Sequence, residues 1–239
     1  MAAYDPMSRQ LPLGIRLRST ATLGNFIPSG NEEALACVKR VVAGQTRLGL
    51  YLWGGVGCGK SHLLQAACHA LTEQGGTSAY IPLARAGEFN PGLLQGLETM
   101  CLVCIDDVDG IAGQEAWEMA LFHLYNRVRE NDNRMIFSAN VSPGAIAVEM
   151  PDLKSRLSWG VTVRLAQPDD DLKILILQQW AKERGLHMPK DVAHYLLSRM
   201  SRDLHSLSAM LDALDRAALV AQRRLTIPFV RETVVTEDR

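Results

Sequence analysis

Apolar and polar positions along the chain change rhythm once. Up to about residue 166, short apolar runs alternate with amphipathic stretches; from Asp169 onward only a helical rhythm remains. Residues 31–44 (NEEALACVKRVVAG) predict a helix, with Asn31 as N-cap, two acids in the first turn and Gly44 as the stop. The runs LGLYLWG, TSAYIPL, CLVCID, RMIFSAN and GVTVRL predict strands. CLVCID is apolar on both faces, as a strand buried inside a parallel sheet would be. Between them SHLLQAACHALTEQGG and AWEMALFHLYNRVREN predict amphipathic helices, and PDLKSRL a short one. This alternation predicts an α/β fold, a parallel sheet covered on both faces.

Past residue 169 come three helical faces: Leu172, Leu175, Ile176 and Trp180; then Val192, Tyr195, Leu196 and Met200; then Leu204, Leu207, Leu211, Leu214 and Ala218. TIPFVRETV comes after them and closes the sequence. The expected organisation is an N-terminal segment (1–20), an α/β domain (21–166) and a small helical domain (167–239). One stretch, RQLPLGI at residues 9–15, fits neither a helical nor a strand period. It places Leu11, Leu13 and Ile15 where no core is in view.

Composition narrows the class without naming a function. The 239 residues suffice for one large domain or two small ones, with 47% hydrophobic and 21% charged residues. A net charge of -1 gives no general basic field for nucleic acid. No secretory signal or membrane-length apolar run is visible, which predicts a cytoplasmic protein. Five cysteines fit a reducing compartment. Cys101 and Cys104 form a lone C-x-x-C inside the CLVCI strand, with no second pair to complete a zinc site, and read as buried strand residues.

The chemistry is concentrated in GGVGCGKS: Gly54, Gly55, Val56, Gly57, Cys58, Gly59, Lys60 and Ser61. The stretch matches G-x-x-x-x-G-K-[ST] after a strand and before a helix, the context the motif requires. Its glycines let backbone N–H groups turn toward a phosphate at a helix N-terminus, where Lys60 would reach the β- and γ-phosphates and Ser61 would ligate Mg²⁺. Asp106, ending a buried strand, is placed to hold Mg²⁺ through water, and Asp107 to orient or deprotonate an attacking water. Asp109 is expected at the surface. Asn140, at the end of RMIFSAN, would stand beside the acidic strand and position the lytic water. Cys58 reads as a tolerated small residue.

Together these parts resemble an AAA+ ATPase: a P-loop fold with a parallel five-stranded sheet flanked by helices, followed by a small helical lid. LKSRLSWGVTVRL is similar to the box VII segment of the bacterial initiator DnaA, and TLGNFIPSGNEEAL to its adenine-packing segment. The latter implies Phe26 and Ile27 near the base, with His62 and His205 also nucleotide-binding. Only a few residues come after RRLTIPFV, so a DnaA-type DNA-binding domain is not expected, and QRRLTIPFVRE resembles the Hda family of DnaA-related regulators. That resemblance implies regulatory inactivation of DnaA, with Arg156 as an arginine finger completing the site of ATP-bound DnaA in trans. It implies ADP (or ATP) with Mg²⁺ as cofactors. The partners implied are DnaA in its ATP form and the β sliding clamp of DNA polymerase III, with DNA reached only through the clamp at the nucleoid or replisome. Homo-oligomers are an option of such families.

QLPLGI resembles the family's clamp-binding box: Gln10, Leu11 and Leu13 match, and Ile15 replaces the usual final leucine. Sensor 2 falls on His205, with Arg202 one turn earlier as the alternative. Because neutral histidine holds a γ-phosphate poorly, the expected resting ligand is ADP and intrinsic hydrolysis is expected to be weak. The competing expectation is an autonomous AAA+ ATPase acting as a helicase loader or nucleoprotein remodeller, which the complete pair of P-loop and acidic strand favours.

Overall fold

The structure is a computed structural model that describes residues 21–46, 49–199 and 204–237. Its elements run α1 (Glu32–Val42), β1 (Leu50–Trp53), α2 (Lys60–Glu73), β2 (Ser78–Pro82), β3 (Leu102–Asp106), α3 (Glu115–Glu130), β4 (Arg134–Ala139), α4 (Pro151–Leu157) and β5 (Val161–Arg164). Helices α5 (Asp170–Glu183), α6 (Lys190–Arg199), α7 (Leu204–Ala221) and α8 (Ile227–Glu237) complete it. Short 3-10 turns fill residues 83–99 and 108–111, between and after β2 and β3.

The five strands lie in the order β2-β3-β4-β1-β5, and every neighbouring pair is parallel. Alternate residues bury opposite faces, as period-2 geometry requires. Leu50, Leu52, Cys104 and Ile136 pack with α1 and α2, whereas Tyr51, Val103, Ile105 and Phe137 pack with α3. A sheet apolar on both sides therefore sits between two helical layers, as CLVCID predicted. Helices α5–α8 enclose a separate core built on Leu177, Leu196, Leu211, Leu214 and Val230.

Register fixes the position of the chemistry. Trp53 pairs with Ala139, and Ile105 with Phe137, so β1, β3 and β4 end side by side. Leaving them at that edge are the phosphate loop after β1, Asp107 after β3 and Asn140 after β4.

Three sequence expectations are corrected here. Asn31 stands at the N-cap of α1 but makes no side-chain cap. Its amide instead accepts from the Ala166 N–H (2.7 Å) and donates to the Ala166 carbonyl (3.2 Å), tying α1 to the chain that enters α5. On α5 Leu175 is 52% exposed, and the helix turns Ile174, Leu177 and Ala181 into its own core. Leu172, Ile176 and Trp180 face a cleft instead, because α5 serves two apolar surfaces at once. Asp109 is half-buried rather than a surface residue. Met200 lies outside the described residues. Asp169 caps α5 through Leu172 N–H at 2.8 Å.

Candidate functional site

The loop from Gly54 to Gly59 leaves β1 and re-enters α2 at Lys60. Gly57 and Gly59 hold φ of 84° and 99°, conformations that a side chain would strain. A Cβ on Gly59 would also stand 2.8 Å from the Phe26 ring, so the loop and the residue 22–31 segment are fitted to each other. Lys60 is 5% exposed. Its ammonium donates to Gly54 O (2.8 Å), Gly55 O (3.2 Å) and Asn140 Oδ1 (3.1 Å), which uses all three of its protons. The Cys58 thiol is buried, and burial pushes its pKa up, which makes it an inert packing group.

Beside the loop, polar groups from β2, β3, β4 and α2 form a continuous network. Asp106 is 1% exposed and accepts from Ser138 Oγ on one oxygen and from Tyr80 O–H (2.6 Å) on the other. Ser138 Oγ in turn accepts from Asp107 N–H at 3.0 Å. Gln65 on α2 donates to Tyr80 Oη at 3.2 Å. Asp107 adopts a left-handed φ of 53°. Burial, then the charge of Asp106 and more weakly that of Asp109, push its carboxyl from 3.8 up to about 6, against the opposing pull of Lys60. Asn140 donates to Asp109 Oδ2 at 2.7 Å and presents its carbonyl oxygen to Lys60. Asp109 thus orients Asn140, a role that strand-end patterning gave no hint of.

Two hollows meet at this loop. A cleft of about 850 Å³ brings together Lys60, Ser61, His62, Asp106 and Asp107 with Arg184 and Asp212 of α5–α7. Arg184 is held by Asp212 Oδ1 and by the Trp180 carbonyl. A narrower apolar pocket lies between Phe26, Ile27, Cys58 and His62 on one side and Leu172, Ile176 and Trp180 on the other. Phe26 and His62 rings are 5.6 Å apart, and the His62 Nε2 lies 3.0 Å from Thr22 O. Asn25 Nδ2 donates to Glu183 Oε1 at 2.8 Å, bridging the segment to α5. An apolar slot opening onto a cationic, glycine-lined turn suits a flat base joined to phosphates. Ser61 and Asp106 offer hard oxygens to the same cleft, the donors Mg²⁺ takes alongside water and phosphate. Among the described residues no cluster of three or more His, Cys, Asp or Glu stands ready for a metal.

Arg156 is elsewhere. It lies at the end of α4, beside Tyr125 of α3, whose pKa its charge lowers against the larger effect of burial. One turn on, Val161 N–H bonds Gly49 O (2.9 Å) at the start of β1, the edge of the sheet opposite the phosphate loop. Among the described residues no carboxylate pairs with Arg156, which is half-exposed. Trp159, 45% exposed, lies under the Arg129 guanidinium at 3.9 Å and walls a hollow of about 270 Å³. The start of α4 is pinned by Glu118, a 1%-exposed carboxylate that accepts from the N–H groups of Gly113, Glu149 and Met150. Glu118, Tyr80 and Ser138 escaped sequence reasoning. Their partners lie far off in the chain, and no local motif marks them.

Of the remaining expected residues, His205 falls in the first turn of α7, but its side chain, like Arg202 and the box Gln10, Leu11, Leu13 and Ile15, lies outside the described residues.

A five-stranded parallel sheet, a glycine-rich loop at the end of its β1 strand, a buried acid on a neighbouring strand and a helical unit across the cleft define the AAA+ P-loop class. Comparison with known proteins refines this. Residues 88–164 match the family described as bacterial DnaA ATPase domain, and residues 170–234 match Hda, lid domain. The fold is similar to domain III of the Thermotoga maritima replication initiation protein DnaA, with TM-score 0.77, 20% identity, and 93% of this chain and 98% of that one covered. It is also similar to the crystal structure of a DNA replication initiation factor (TM-score 0.69, 25% identity, 85% and 67% covered). Similarity extends to AMPPCP-bound DnaA from Aquifex aeolicus (TM-score 0.66, 26% identity, 82% and 65% covered). The chain is thus similar to DnaA-related AAA+ proteins over its α/β part, and its C-terminal helices match an Hda-type lid. Among the described residues no helix is long and apolar enough to cross a membrane.

Proposed function

We propose that this protein is a nucleotide-bound regulator that promotes hydrolysis of ATP held by DnaA, supplying Arg156 in trans. The observation that carries the reading is the position of Arg156: half-exposed, without an acid partner among the described residues, at the sheet edge opposite its own phosphate loop. An arginine there cannot serve its own cleft. Presented to a neighbour's nucleotide, a guanidinium stabilises charge on the transferring phosphoryl group and is worth ~10³–10⁵ in rate. Trp159 and Arg129 give the same face an aromatic and cationic anchor of the kind that dominates interfaces. Glu118 holds the start of α4 so that the arginine is presented from a fixed helix.

The protein's own cleft then holds ADP or ATP. Phe26, Ile27 and His62 enclose the base, Gly54–Ser61 surround the phosphates, and Ser61 with Asp106 holds Mg²⁺, which neutralises phosphate charge when bound. His205 or Arg202 reaches the nucleotide from the lid. Residues 21–166 form the nucleotide-holding domain, 167–239 the lid, and 1–20 a tether to the sliding clamp through Gln10, Leu11, Leu13 and Ile15. Two weak contacts, to clamp and to DnaA, combine through effective concentration on clamp-loaded DNA. The outcome is DnaA-ADP and blocked re-initiation.

Adding this protein to radiolabelled DnaA-ATP with clamp on DNA should speed hydrolysis, and Arg156→Ala should remove that effect. A fully active R156A protein would refute the assignment. Alanine at Gln10, Leu11 and Leu13 together should abolish retention on clamp-loaded beads; undiminished retention would remove the tether. A second reading, an autonomous ATPase, is favoured by Asp107, whose carboxyl at about 6 is suited to a general base. Brisk turnover by the isolated protein, at least as fast as DnaA's stimulated rate, would favour it.

A further inference from the structure

Tyr80 takes no part in the expected nucleotide site, yet its hydroxyl lies on the carboxylate that would hold the metal. We propose that Tyr80 is a positioning residue that weakens magnesium-dependent nucleotide binding by occupying Asp106. The inference rests on the nucleotide reading above and names a control within that same site.

The geometry is specific. Asp106 has two oxygens, 1% exposed, and each already receives a hydroxyl proton, from Ser138 on one side and from Tyr80 at 2.6 Å on the other. Tyr80 arrives from β2, paired directly with β3 in the register Tyr80↔Cys104 and Pro82↔Asp106, so its ring reaches the strand's acidic end from two residues away. The hydroxyl is committed in one direction. Gln65 Nε2 donates to it at 3.2 Å, filling an acceptor lone pair and leaving the proton to point at Asp106. Gln65 stands one turn after Ser61 on α2, so the chain of bonds links the phosphate-loop helix to the acid. Tyr80, Gln65, Ser61 and Asp106 all line the same cleft.

A hydroxyl bonded to a buried carboxylate draws charge from it and takes a lone pair that a metal-bound water would otherwise use. Removing that hydroxyl leaves a buried acceptor one donor short. In the absence of metal the shortfall stays; with metal and nucleotide bound, a water on that metal would supply the missing donor. Loss of the Tyr80 hydroxyl and magnesium binding therefore favour each other. Tyr80 itself holds no nucleotide, so affinity measured without magnesium is not affected.

The test is Tyr80→Phe, which keeps the ring. ADP is titrated calorimetrically into the wild-type full chain and the variant, in EDTA and in excess MgCl₂. The expected result is an affinity in EDTA within about twofold of wild type, and a magnesium-dependent gain about fivefold or more larger in Y80F. Thermal melts should agree: Y80F melts lower than wild type without ligand and regains more on adding Mg-ADP. A magnesium gain that is unchanged or smaller in Y80F overturns the proposal, as does a large loss of affinity in EDTA, which would make Tyr80 a nucleotide contact. If wild-type protein binds ADP in neither buffer, the nucleotide reading itself fails, an outcome distinct from wild-type binding with an unaltered Y80F gain.

Discussion

The two edges of the sheet are finished differently. At the edge carrying the phosphate loop, the charged groups at its centre are engaged: Lys60 by two carbonyls and Asn140, Asp106 by two hydroxyls, Asn140 by Asp109. At the other edge Arg156 has no acid among the described residues, and Trp159 is nearly half exposed beneath Arg129. A polar cluster buried in low dielectric has to be satisfied internally, because each unpaired group there costs ~1–3 kcal/mol. A cation left half in water bears little such cost and remains available to a partner. On the function proposed above, the first edge holds a ligand steadily and the second is completed from outside.

The largest effect bearing on this contrast is expected at Lys60. Lys60→Met should weaken nucleotide binding roughly 100-fold or more, since charge-assisted bonds to phosphate are worth ~1.5–3 kcal/mol each. Arg156→Ala should leave the protein's own nucleotide affinity within about twofold. Equal losses in both variants, read by a fluorescent ADP analogue, would erase the division between the edges.

A smaller effect probes the electrostatics of the ligand-holding edge. Asp107, facing Asp106, Asp109 and Lys60, is held at about 6 rather than 3.8, so the folded protein binds its proton more tightly than the unfolded chain does. The stability this contributes is complete below pH ~4 and is lost as pH rises through about 6. Asn also accepts the left-handed φ of 53° at this position. In EDTA, Asp107→Asn should gain on wild type between those pH values and be about 1 kcal/mol more stable above pH 7, after allowance for solvent screening. Urea denaturation checks this; a gap constant from pH 4 to 8 would contradict it.

Much of the ligand-holding edge was legible in the sequence, for a physical reason. A phosphate loop is a local object: eight consecutive residues state both its conformation and its chemistry, and the apolar CLVCI run announces its buried strand. The groups that escaped are tied over long range. Tyr80 meets Asp106 across 26 positions, Ser138 meets it across 32, and Glu118 reaches Glu149 across 31. Strand register decides the two pairs with Asp106, and the packing of α3 against the loop before α4 decides the third; no spacing in the chain encodes either. Asp109 misled for the same reason, since only the folding of β4 beside β3 brings Asn140 to it. Leu175, which is 52% exposed, shows a second limit. Helical periodicity marks apolar residues on α5 without telling which of them the fold buries.

The role of Arg156 in trans stands or falls on a single-turnover measurement of ATP hydrolysis by DnaA, with wild-type protein and Arg156→Ala at equal occupancy by nucleotide. Wild type should accelerate hydrolysis by about 10³-fold and R156A by almost nothing, while both hold their own nucleotide equally well. Acceleration by R156A within a few-fold of wild type would contradict that role.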